Sequence, residues 1–337
     1  MKNTLYITCL LILAVLITAC GSANSTDHSK SLSDMEPFRL SDYIDIPRLN
    51  QTYYEDLPEQ DIDVDAAYVL HANTNDVLYE ENSDKSLSVA SMSKIMSEYI
   101  ILQAIENEEI AWEDKVKISD YAYDISNKPG FASVDLKQKK KYTVEELFQA
   151  MSIGSANGAT IALAEEVAGS EKEFVELMNE EAKKLQLDNS TFVNSSGLSN
   201  NDLGDEYSVG KSSDDNKMSA ADLAALSNRL IKEYPEIFTI IGQTELDFDG
   251  ETYDNSNWML PGSDIDFIDE DLSYKGVNGL KTGYTEEAGY GFTGSVEIGE
   301  DHFISVVIGA DSYEDRFKQT AKLYDALKEL IKEEQDK

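Results

Sequence analysis

The stretch SLSVASMSKIMSEYII, residues 86–101, passes from small polar residues to an apolar helical pattern where Ser91 and Lys94 stand three residues apart. Three residues is close to one helical turn, so a helix starting near Ser91 presents hydroxyl and amine on one face. Ile95, Met96, Tyr99, Ile100 and Leu102 predict a broad buried face behind that pair. A serine hydroxyl is a weak nucleophile at neutral pH, and an amine one turn away can take its proton only when the amine is largely neutral. Ser-x-x-Lys also arises by chance, so the rest of the chain must separate a nucleophile and its base from a polar residue near a helix start.

The segments around this stretch define an α+β order. AAYVLHANTNDVLYEEN, 66–82, reads as a β-hairpin turning at Asn73–Asp76. Three helices are announced by capping pairs: Thr143 with Glu146, Ser170 with Glu173, and Ser219 with Asp222, where aspartate is the weaker reciprocal partner. ATIALAEEVAG, 159–169, is a further short helix ended by Gly169. From residue 276 the period becomes strand-like in GVNGLKTGY, GYGFTGSVEIG and HFISVVIGA, and an amphipathic helix of about 314–333 follows. Strands at both ends and helices between them predict a mostly antiparallel sheet with a helical middle packed beside it.

Two of these segments carry further polar groups. MSIGSANGAT, 151–160, sets Ser155 and Asn157 in a run of small residues. Taken alone it is either a helix junction, with Ser155 as a cap, or a loop presenting both side chains to a cleft. LKTGY, 280–284, sets Lys281, Thr282 and Gly283 at the end of a predicted strand.

SMSK, SAN and KTG occur in that order, on a helix start, an interhelical loop and a strand, and together resemble the active-site signature of penicillin-binding proteins and serine β-lactamases. More narrowly, ASMSK, ALAEEVAGSEKEFVELMNEEAKKL, STFVNSSGL and GLKTGYTEEAG make the chain similar to the low-molecular-mass D-alanyl-D-alanine carboxypeptidases of peptidase family S11, over about residues 61–330. The resemblance implies a serine β-lactamase/D,D-peptidase-like fold and hydrolysis of the terminal D-alanine from peptidoglycan stem pentapeptides through a Ser91 acyl-enzyme. It implies no cofactor or metal, and β-lactam antibiotics as covalent inhibitors. Lys94 is then the general base, Ser155 the proton relay and Asn157 the positioning residue. The backbone N–H groups of Ser91 and Tyr284 form the oxyanion hole, while Lys281, Thr282, Gly283 and Arg316 face the substrate carboxylate. Burial and a nearby Lys281 would each lower the pKa of Lys94, since both disfavour the ammonium form.

Two departures from the family pattern stand out. Met218, in NKMSA, replaces a more usual aromatic or polar residue, which predicts a different cleft wall. The chain also ends after the last helix, so no additional C-terminal domain is expected. The competing readings are a D,D-endopeptidase on peptidoglycan cross-links, a class A-like β-lactamase and a non-catalytic surface lipoprotein. The β-lactamase reading calls for a deacylating glutamate, and Asp188–Asn200 contains none.

Residues 1–19 read as a signal peptide: one lysine, then an apolar run short of a comfortable membrane span. ITAC resembles a lipoprotein cleavage box, which makes Cys20 the lipidated first residue of the mature chain. Residues 20–60 are then an acidic tether, ordered in part at most, and 61–335 the catalytic domain, held outside the cytoplasm on the bacterial cell envelope. Of two cysteines only Cys20 would survive processing, so no intramolecular disulfide is expected. A formal charge of −37, from 65 acidic and 28 basic residues, argues against nucleic acid as a partner. The three histidines are widely separated and form no metal-ligand spacing.

Overall fold

The computed structural model of the protein describes residues 54–335 apart from 205, 206, 208, 264–267 and 269. The signal segment, Cys20 and the tether up to residue 53 lie outside the described residues. The hairpin predicted at Asn73–Asp76 is present as β1 (Ala66–His71) and β2 (Val77–Glu81). After the short strand β3 (Leu87–Ser88), a 3-10 turn, Ala90–Ser93, leads into α1 (Lys94–Glu106).

The helical middle comprises α2 (Asp120–Ser126), α3 (Val144–Ser152), α4 (Asn157–Ala168) and α5 (Glu171–Lys184), with the small ladder β4 (Lys115–Lys117) and β5 (Lys141–Thr143) beside it. Next come α6 (Asn200–Leu203), β6 (Lys217–Met218), which pairs with β3, α7 (Ala220–Glu233), α8 (Phe238–Ile241), and the hairpin β7 (Glu245–Phe248) and β8 (Glu251–Asp254). The chain then forms β9 (Val277–Thr285), β10 (Gly289–Ile298), β11 (Asp301–Ala310) and α9 (Asp315–Gln335).

The principal sheet runs β2-β1-β11-β10-β9, all neighbours antiparallel, so both ends of the chain meet at β1 and β11 and β9 is an edge. Residues 303–308 of β11 are buried without alternation, because both faces of the sheet are covered. Phe292, Val296, Phe303 and Val307 pack with Phe317, Leu323, Tyr324 and Leu327 of α9. Each such aromatic contributes about 2–3 kcal/mol by leaving water. The opposite face meets α7 and the turn that carries Ser91.

Helix α1 differs from its sequence pattern. Every residue from Lys94 to Leu102 is buried, so the helix is enclosed around its whole circumference and not along one broad face. The capping pairs also divide. Thr143 and Glu146 make the full reciprocal box. Ser219 accepts from the N–H of Asp222, but the Asp222 carboxylate, one methylene shorter than glutamate, accepts instead from Asn189 N and Ser190 Oγ, each at 2.8 Å. Met218, expected in the cleft wall, is fully buried in the β3–β6 ladder opposite Leu87 and belongs to the core. Packing onto the sheet begins ahead of residue 61, since Leu57 is buried and its N–H donates to Leu78 O.

Candidate active site

Ser91 sits in the 3-10 turn at the mouth of α1, and Lys94 opens the α-helix proper. Lys94 Nζ stands 3.0 Å from Ser91 Oγ, 2.7 Å from Asn157 Oδ1 and 2.5 Å from the carbonyl oxygen of Ser196. The two carbonyl-type oxygens can only accept, so they take two N–H groups of the amine. What remains of a neutral amine is its lone pair, on the side of the Ser91 hydroxyl. The amine is wholly buried, and that burial, followed by the like charge of Lys281, holds its pKa well below the ordinary lysine value. Glu98 and Glu171 act in the opposite sense.

Asn157 is the first residue of α4, and Ala156, not Ser155, occupies the cap position without a side-chain bond. The helix-junction reading of SAN therefore does not describe this loop. Ser155 is 5% exposed and left-handed, with φ 56°, and Ala90, immediately before Ser91, is left-handed at φ 48°. A non-glycine residue held there costs about 1–3 kcal/mol, and the two flank the same lysine-bearing site. Among the described residues no hydrogen bond joins Ser155 to Lys281, whose Nζ donates to the Thr282 carbonyl at 3.4 Å.

Lys281, Thr282 and Gly283 lie on the edge strand β9, beside the turn that holds Ser91. A Cβ at Gly283 would lie 2.7 Å from Val89 O and 3.1 Å from Met92 N. Gly283 thus allows the strand to close on the Ser91 turn. Thr282 Oγ1 is 2.6 Å from Ser256 Oγ. Lys281 is 2% exposed, and its pKa is lowered to about 8 by burial, with Glu98 opposing and Arg316 adding to the shift. Tyr284, half exposed, stacks on Tyr290. Arg316 is not a surface arginine. It is buried against Tyr313 and Phe317, donates through Nη1 to Gly283 O at 3.4 Å, and leaves Nε and Nη2 without protein acceptors among the described residues.

Sequence reasoning passed over four contributors. Ser196 acts through its carbonyl, which no side-chain pattern reports. It is held in place because Gly197, at φ 79°, lets residues 194–198 approach the Ala90 carbonyl, where any Cβ would clash at 2.1 Å. Glu171 reaches the same loop from α5, accepting from Ser195 N at 2.7 Å and Ser195 Oγ at 2.9 Å. Burial raises its pKa to about 7. Ser256 had no motif. Glu98 had a signal, an acid four residues after Lys94 among the apolar positions Ile95, Met96, Tyr99 and Ile100.

A partly exposed serine against a buried lysine joined to an asparagine, beside a Lys-Thr-Gly edge strand, is the arrangement that serine acyl transfer of the penicillin-binding type calls for. Among solved structures, the chain is similar to a peptidoglycan synthesis regulatory factor (PBP3) from Streptococcus pneumoniae, with TM-score 0.74, 36% identity, and 78% of this chain and 73% of that one covered. It is also similar to penicillin-binding protein D2 from Listeria monocytogenes in a cefotaxime-bound form, with TM-score 0.67, 32% identity, and coverage of 80% and 98%. The D-alanyl-D-alanine carboxypeptidase model of peptidase S11 matches residues 52–312, and the chain belongs to that family. D-alanyl-D-alanine carboxypeptidase DacF of Bacillus subtilis is 35% identical over 260 residues, covering 77% of this chain and 61% of the relative. The chain thus spans about three fifths of the length of such curated relatives.

Proposed function

We propose that the protein is a serine-type D-alanyl-D-alanine carboxypeptidase that trims peptidoglycan stem pentapeptides. The observation that carries this reading is the bonding of Lys94, whose two acceptors leave the lone pair of a neutral amine for Ser91. The Ser91 proton passes to Lys94 Nζ as Oγ attacks the carbonyl carbon of the penultimate D-alanine. Charge collects on the former carbonyl oxygen, which meets the backbone N–H groups of Ser91 and Tyr284. When the C–N bond breaks, the proton held on Lys94 passes to the leaving nitrogen by way of Ser155, which leaves the amine neutral again, and D-alanine departs from an ester on Ser91. Water then attacks the ester and gives up a proton to the same base, which returns it to Ser91 Oγ as the shortened peptide leaves.

Edge strand β9 suits an extended donor peptide laid beside it as an added strand. The Lys281 ammonium, the Thr282 hydroxyl and the positive charge of Arg316 behind Gly283 favour a terminal carboxylate. Amidating that carboxylate should therefore slow D-alaninamide release by at least about tenfold relative to D-alanine release from the free acid, about 1.4 kcal/mol in transition-state binding. Mass analysis of products from the pentapeptide, its amide and cross-linked muropeptides makes the comparison. Equal turnover of acid and amide would sink the carboxylate reading, and cleavage confined to cross-links would make the enzyme an endopeptidase.

β-Lactams are the expected covalent inhibitors. Fast β-lactam hydrolysis is not part of this reading. Residues 188–200 contain no glutamate, and Glu171, which reaches them from α5, has both oxygens held by Ser195.

The site of action follows from the N-terminus: outside the cytoplasm, attached to the membrane by a lipid on Cys20, with ITAC and the polar tether as support. A diacylglyceryl group brings two acyl chains, enough for stable attachment. Cys20→Ala should move the protein from the membrane fraction to the medium or leave it unprocessed, and unchanged anchoring on fractionation would remove the claim.

A further inference from the structure

Glu98 lies one helical turn beyond Lys94 on the same face of α1, is 2% exposed, and takes no part in the acyl-transfer steps above. The polar atom beside its carboxyl is Ser152 Oγ, at the end of the helix that leads into the Ser155 loop. That hydroxyl lies outside hydrogen-bond geometry, so Glu98 Oε1 and Ser152 Oγ are both buried and without partners among the described residues. Unpartnered buried oxygens of this kind cost about 1–3 kcal/mol each, a cost that an apolar residue at this buried position would avoid.

The charges around Glu98 indicate what it does there. Lys94 on its own helix and Lys281 on β9 both act on it. Lys281 faces Arg316 from α9, and Lys94 faces Glu171 from α5, which in turn faces Glu165 on α4. Among the described residues, the charges that act on Lys281 are the Glu98 carboxylate and the Arg316 guanidinium, so without Glu98 only a second buried cation remains. Burial and Arg316 both push Lys281 toward its neutral form, which cannot attract a carboxylate.

We infer that Glu98 is a positioning residue for catalysis, the buried counter-charge that keeps the Lys281 ammonium charged for the substrate carboxylate while Lys94 beside it stays neutral as the base. The same carboxylate would favour the Lys94 ammonium that forms when Ser91 loses its proton. The inference rests on the proposed carboxypeptidase reading and adds to it a group that touches neither substrate nor reacting atoms.

The pH dependence tests it. Burial raises the Glu98 pKa to about 7, so the counter-charge is present above that pH and absent below it. Lys281 loses its proton near 8 with Glu98 opposing that loss, so removing the negative charge lowers its pKa further. In Glu98→Gln, kcat/KM for D-alanine release should match wild type on the acid side. Its alkaline limb should shift down by about one pH unit, a loss of about tenfold beyond that limb. Ser152→Ala should shift the limb in the same direction by less, because the O–H dipole beside the carboxyl favours the charged form of Glu98 even without a formed hydrogen bond.

Wild-type release of D-alanine is measured first and tests the carboxypeptidase reading by itself. Given that activity, profiles of Glu98→Gln that superimpose on wild type would overturn the inference. So would a uniform loss at every pH, which is the mark of a structural role. Should Glu98→Gln fail to fold, the Ser152→Ala profile decides alone, and an unshifted limb rejects the proposal.

Discussion

Ser91→Ala is expected to abolish D-alanine release and the covalent penicillin adduct together. In the proposed mechanism the reaction divides at an ester on Ser91 Oγ, and no second hydroxyl is held against Lys94 among the described residues: its other two contacts are an amide oxygen and a backbone carbonyl. Losing the nucleophile leaves only binding and oxyanion stabilisation, so the rate should fall by at least about 10⁴-fold, about 5.5 kcal/mol. The fold should survive, because Ser91 is partly exposed in a 3-10 turn and fills no core volume. A β-lactam ring opens without shedding a diffusible leaving group, so its acyl-enzyme persists long enough to be weighed. Intact-mass and peptide mapping of wild type should place one adduct on the peptide containing Ser91. An adduct on another serine, or undiminished D-alanine release by the variant, would overturn the mechanism even with the fold intact.

Lys94→Ala should slow acylation by about 10³-fold or more while leaving non-covalent penicillin binding measurable. Its second signature lies in stability. The folded pKa of Lys94 is lowered, so between that value and the ordinary lysine value the unfolded chain holds a proton that the folded chain does not. Stability from this group therefore rises with pH across that window and is lost as pH falls through it. Lys94→Ala removes that slope and also leaves Asn157 Oδ1 and Ser196 O without their buried donor, which costs about 1–3 kcal/mol each. Stopped-flow acylation and chemical denaturation over a pH series measure both effects. Acylation at the wild-type rate, or an unchanged pH slope of stability relative to wild type, would show that Lys94 is not the neutral base.

Much of the architecture was legible in local pattern. The hairpin at 66–82, the helix start at Thr143, the stop at Gly169 and the three closing strands each follow from caps, turns and period, which depend on near neighbours. Three short motifs in a fixed order pointed to the site because Ser91 and Lys94 lie at a helix start and Lys281 on a strand, as expected, while Asn157 opens α4 one residue past the expected loop. Helix α1 was read less well. Its apolar positions predicted one buried face, whereas packing from α3, α4, α5 and α7 encloses the whole turn around Lys94.

The sequence by itself determined which candidate residues stand on helix start, loop and strand and in what order, since side-chain type and element type are local properties. Only the tertiary structure decided the state of those groups. Lys94 meets Asn157 from 63 residues away and Ser196 from 102, and its lowered pKa depends on burial and on the charges of Lys281, Glu98 and Glu171 brought in on three elements. Arg316, expected beside the substrate carboxylate, stands as a buried cation behind β9, and Met218 moved from cleft wall to core. Proton affinity and burial are set by what surrounds a group in space, and the spacing of residues along the chain does not contain that information.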